Sequence, residues 1–90
     1  MPKYVIEREL PGAGQLSGEE LHAIAGKSNA VLAGMNGRVQ WQHSYVTTDK
    51  VYCVYVAPDE ASVLQHAEAG GFPANVVSRV STLIDPVTGE

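Results

Sequence analysis

Val39-Gln40-Trp41-Gln42-His43-Ser44-Tyr45-Val46, Thr47-Thr48-Asp49-Lys50 and Val51-Tyr52-Cys53-Val54-Tyr55-Val56 form the stretch that decides the fold. Aromatic and β-branched residues flank a polar turn, the pattern of a β-hairpin. Alternation along the first of these strands puts Val39, Trp41, His43 and Tyr45 on one face. The second is apolar on both faces, with Val51, Cys53 and Tyr55 on one and Tyr52, Val54 and Val56 on the other. A strand of that kind is normally covered on both sides.

Working outward, Tyr4 to Leu10 alternates as a strand, and Pro11-Gly12-Ala13-Gly14 breaks it. Ser17 then caps a helix. Glu20 completes a capping box, and Leu16 can staple onto Leu21. Leu21, Ile24, Ala25, Ser28, Leu32 and Met35 make its apolar stripe, with Ser28 the one polar gap, and Gly34 or Gly37 ends it. Beyond the hairpin, Asp59 caps a second helix whose Val63, Leu64 and Ala67 face inward and which Gly70-Gly71 closes. Val76 to Ile84 reads as a fourth strand. The order β-α-β-β-α-β predicts an α+β, ferredoxin-like fold with one antiparallel sheet and two helices on one face. Nothing in the chain covers the other face. A second copy is expected there, giving a homodimer of dimeric α/β-barrel type.

Ninety residues make one domain. It spans residues 1–86, and 87–90 form a loose tail. A chain this short buries only about 60–65% of its unfolded surface, so a partner subunit would help it. At 44% hydrophobic and 18% charged it reads as globular. The net charge of −4 argues against nucleic acid or an anionic membrane as partner. The lone Cys53 suits a reducing cytosol, and neither a signal peptide nor a membrane-length apolar run is visible, so a cytoplasmic location is expected.

The run Trp41 to Tyr55, then Ala57-Pro58-Asp59-Glu60, His66-Ala67 and Gly71-Phe72-Pro73, resembles a small bacterial family of ferredoxin-like proteins linked to nickel binding. Tyr4-Val5-Ile6-Glu7-Arg8 and Ile84-Asp85-Pro86 fit it as well. The resemblance covers nearly the whole chain and implies a ferredoxin-like dimer that binds a divalent transition metal. It does not assign ligands, which are argued from chemistry.

The candidate metal ligands are His43, His66, Cys53 and Glu7. Imidazole suits nickel, copper and zinc, while thiolate suits softer ions and carboxylate harder ones. Whether Cys53 joins His43 depends on the turn. A two- or four-residue loop pairs His43 with Val54 and puts Tyr52 beside Tyr45. A three-residue loop puts Cys53 and Tyr55 on the His43 face instead. The competing readings are structural. Cys53 can be a small buried hydrophobe and His43 a hydrogen-bonded core or interface residue. His66 can be a surface imidazolium at a helix C-terminus. His22 reads as solvated helix face, and Glu7 with Glu9 as an exposed strand end.

No complete catalytic signature is present. Gly12-Ala13-Gly14 before a helix imitates a dinucleotide fingerprint but lacks the third glycine, and Gly26-Lys27-Ser28 imitates a P-loop ending inside a helix. A Cys53–His43 nucleophile–base pair lacks an orienting third group. A binding protein that sequesters or detoxifies a nickel-like ion is therefore the first reading. The alternative is a cofactor-independent oxygenase or cyclase acting on a small aromatic substrate. Its cavity would lie between sheet and helices, with His43 as base and Tyr45 beside it.

Overall fold

The fold is built around β1 (Lys3–Glu9), an interior strand whose residues alternate between a buried and an open face. The computed structural model describes residues 1–90. After β1 come α1 (Gly18–Ala33), β2 (Gln40–Val46), β3 (Lys50–Val56), α2 (Glu60–Gly70) and β4 (Val76–Arg79). The strands pair antiparallel in the order β2-β3-β1-β4, the ferredoxin-like arrangement that the element order predicts. Tyr4, Ile6 and Arg8 of β1 turn toward the helices, and Val5 and Glu7 toward the uncovered side.

The hairpin register is now explicit. His43 pairs with Val54, Ser44 with Cys53 and Tyr45 with Tyr52. The Thr47 N–H donates to the Lys50 carbonyl at 2.8 Å, which closes the turn around Thr48-Asp49. Cys53 therefore faces the helices and His43 with Tyr45 faces away. A bulge between Trp41 and His43 alters the expected alternation. One extra residue moves everything before it to the opposite face. Trp41 pairs with Tyr55 and lies on the helix side, not beside His43 and Tyr45 as simple alternation predicts.

Local chemistry sets the helix ends as the sequence implies. Ser17 and Glu20 form the capping box of α1, and Asp59 accepts from the Ser62 N–H at the start of α2. Gly71 ends α2 at φ 67°, in the left-handed region that glycine enters without strain. The core joins Ile6 and Tyr4 of β1, Cys53 and Tyr55 of β3 and Val63 of α2. α1 packs more loosely. Ser28 is its only fully buried residue, and Ile24 of the apolar stripe is exposed.

β4 is shorter than the periodicity predicts, stopping at Arg79 rather than Ile84. Its only partner is β1, and the last cross-strand bond runs from the Val80 N–H to the Lys3 carbonyl. Beyond it the Pro2 carbonyl accepts from the Ala57 N–H instead. Leu83 and Ile84 lie exposed, and Asp85 caps one exposed 3-10 turn at Pro86–Gly89.

Ile6 has no accessible surface, whereas Val87 is 69% exposed. Ile6→Ala is expected to cost about 2–5 kcal/mol in urea unfolding, and Val87→Ala to stay within about 0.5 kcal/mol of the parent. Equal midpoints for the two variants would remove Ile6 from the core.

Candidate functional site

Because α1 stands off the sheet, a cavity of about 430 Å³ opens between the two layers. Leu16, Leu21 and Ile24 line its helix side, and Trp41, Val51 and Cys53 its sheet side. Phe72 and Pro73 close one end. The Phe72 ring comes close to α2 because position 70 is glycine; a Cβ there would run into the ring. At the other end, Leu10 and Gly12 are stitched to the hairpin turn through the carbonyl and side chain of Asp49.

Arg8 is the one charged residue on the cavity wall, and it is buried. Its Nε donates to Cys53 Sγ at 3.4 Å and one terminal nitrogen to the Tyr55 hydroxyl at 3.1 Å. The other terminal nitrogen donates to the Pro73 carbonyl. The guanidinium also lies 5.5 Å from the centre of the Phe72 ring, within cation–π reach. Burial pushes the Tyr55 phenol up to about 12; Cys53 adds to the rise and the Arg8 charge opposes it. Tyr55 is thus a neutral hydroxyl at physiological pH.

His66 is completely buried, which corrects the expectation of a surface imidazolium. α2 turns it inward, where it packs at a tilt against Tyr55 with ring centres 5.2 Å apart. Its Nε2 lies 3.2 Å from Ser28 Oγ, so the polar gap in the α1 stripe exists to meet it. Its Nδ1 has no partner. Burial lowers the pKa of the ring first and the nearby Arg8 charge lowers it further, outweighing the Ser28 hydrogen bond. His66 is therefore more deeply buried than the half-buried Trp41.

The four candidate ligands are divided by the sheet. Cys53 and His66 lie on the helix side; His43 and Glu7 lie on the uncovered side, with β3 between their strands. No three His, Cys, Asp or Glu side chains come together in one chain. Glu7 is 3.7 Å from Lys50 in an ion pair. His43 is exposed and edges onto Tyr45, ring centres 5.0 Å apart, in a shallow groove shared with Lys3, Val5, Val54 and Leu83. His43 and Tyr45 therefore do not reach the cavity, contrary to the oxygenase or cyclase arrangement. The sequence reading missed Arg8, the cavity's defining residue. The signal was available: Arg8 shares the inward register of Tyr4 and Ile6.

The sheet order and paired helices define the class as a small ferredoxin-like α+β protein. Within that class, the family described as "Nickel responsive protein SCO4226-like" matches residues 4–80, and the chain belongs to it. The fold is similar to that of SCO4226 from Streptomyces coelicolor A3(2), a crystal structure, with a TM-score of 0.77 and 16% identity over 91% of this chain and 99% of that one. No curated protein matches the sequence.

The buried neutral state of His66 ties stability to pH. Its folded pKa lies below the ordinary 6.5, so below that pH the unfolded chain binds the proton more readily. Stability from this group is complete above about pH 6.5 and falls as pH drops, by at most about 1.4 kcal/mol per unit. Urea unfolding from pH 7.5 to 5 is expected to show the decline, and His66→Gln to flatten it. An unchanged slope in the variant would place the effect elsewhere.

Proposed function

We propose that the protein binds a nickel-like divalent transition ion as a cytoplasmic homodimer, for sequestration or detoxification. His43 is the principal ligand. The observation that carries this reading is an exposed imidazole in a groove on the uncovered sheet face, in a chain that belongs to a nickel-responsive family. Imidazole suits such ions. One chain offers no three-donor cluster, so the remaining ligands come from a second copy or from water. Glu7 is the carboxylate on the same face, held back by Lys50. Cys53 and His66 are weaker candidates. Both sit under the guanidinium of Arg8, whose charge opposes a dication in a site of low dielectric.

The uncovered face also supports the dimer. Val5, Tyr52, Val54 and Val56 are only half-buried there, and Tyr45 and Leu83 are exposed. A second copy would cover this apolar strip and bring two His43 groove systems to one interface. The cavity keeps the oxygenase or cyclase reading in view, but that reading would need a base other than His43.

Sedimentation equilibrium at micromolar concentration is expected to give a dimer, and Val54→Asp a monomer. A monomeric parent would remove the interface.

Neutral imidazole is the ligand form, so calorimetric titration of tag-free protein with Ni²⁺ is expected to show binding at pH 7.5 that fades at pH 5.5. His43→Ala should abolish it and His66→Ala should preserve it in whatever fraction stays folded. Full binding in His43→Ala would overturn this assignment of the ligand.

A further inference from the structure

We propose that the cavity between sheet and helices is a binding site for a small amphiphilic carboxylate. Its apolar body would lie against Leu16, Leu21, Ile24 and Trp41, with its single anionic head on Arg8. The inference is independent of the metal reading, because His43 opens on the opposite face of the sheet.

Arg8 carries a charge that no carboxylate of the cavity answers. The chain carries ten acidic and six basic residues, yet no Asp or Glu lines the cavity while Arg8 does. Its partners are a sulfur, a hydroxyl and a carbonyl, none of them a carboxylate. The chain's ion pair, Lys50 with Glu7, lies on the other face. A buried guanidinium without a counter-ion is costly, and an incoming anion would relieve that cost.

Donor arithmetic points to the same group. Guanidinium has five N–H donors. One each from Nε and the two terminal nitrogens is placed, which leaves one on each terminal nitrogen. A carboxylate has the geometry to accept more than one such donor. The neutral Tyr55 hydroxyl stands beside the same nitrogen. Outside the lining, Lys27 Nζ lies 5.6 Å from the Phe72 ring centre and adds positive potential near that end of the cavity.

The rest of the wall selects an apolar body. Ser44 already accepts from the Trp41 indole N–H at 2.9 Å, and Ser28 is engaged by His66. Few free polar groups remain to satisfy a polar ligand. The volume of about 430 Å³ falls within the range of roughly 300–1,000 Å³ typical of small-molecule sites. A single buried cation in an otherwise apolar wall matches a monoanion better than a polyphosphate.

Trp41 is the protein's only tryptophan and stands in the wall, so its emission reports on occupancy. The metal-free protein is titrated at pH 7.5 with octanoate, 4-phenylbutyrate, 1-octanol, octylamine and inorganic phosphate. At least one of the two carboxylates is expected to give a saturable shift, and which one binds more tightly separates an acyl from an aryl body. Octanol should bind at least tenfold more weakly, and octylammonium and phosphate should leave the emission unchanged. Arg8→Gln should weaken the carboxylate at least tenfold and leave octanol unaffected. Should Arg8→Gln not fold, Ala25→Phe fills the apolar part of the cavity while keeping Arg8, and is expected to abolish the shift. The proposal is overturned by octanol binding as tightly as the carboxylates, by no saturable shift with either acid, or by undiminished binding in folded Ala25→Phe.

Discussion

The buried guanidinium of Arg8 is the constraint on which the inner layer depends. It starts on β1, reaches two residues of β3, and holds the carbonyl of Pro73 in the segment after α2. Three parts of the chain, far apart in sequence, are fixed by one planar group. Losing it would leave the buried Tyr55 hydroxyl short of a donor, at about 1–3 kcal/mol, and would release the Pro73 carbonyl to water. The tilted, contacting rings of Tyr55, His66 and Phe72 are arranged around the same centre. Its charge helps keep His66 neutral.

That centre also explains why α1 and α2 behave differently. α2 presses Val63, His66 and Ala67 onto the sheet and is well buried along that face. α1 meets His66 through Ser28 and the core through Leu32, and the space under Leu21 and Ile24 remains open. A close-packed interior would fill such a gap with large side chains. Here Ala25 and Ser28 are small, and the cavity is the result.

The sheet separates two chemical environments. On the helix side a cation sits in an apolar cavity. On the other side an exposed imidazole shares a half-buried apolar face with a carboxylate that is already paired. Each side of β3 is apolar for its own reason, one for the core and one for a face the chain itself leaves uncovered. The proposed dimer and metal site belong to that second face, and the proposed carboxylate site to the first.

Residue patterns sufficed for the element order, the helix caps at Ser17 and Asp59, and the sheet with two helices. Those follow from local periodicity and capping chemistry, which act over a few neighbouring residues. The side on which each chemically active residue falls was not local. The turn around Thr48-Asp49 chose between two registers, and the bulge before His43 moved Trp41 to the other face. In a strand of period two, one inserted residue reverses every assignment beyond it. β4 ended at Arg79 with one further bond to β1, from the Val80 N–H to the Lys3 carbonyl, after which the Pro2 carbonyl is taken by the Ala57 N–H. His66 read as a surface residue because its Ser28 partner lies on another helix, and only the packing of α1 against α2 joins them. Arg8 was legible as an inward position, but a single strand cannot show that the cavity around it contains no carboxylate; that depends on which side chains the whole fold brings to one wall.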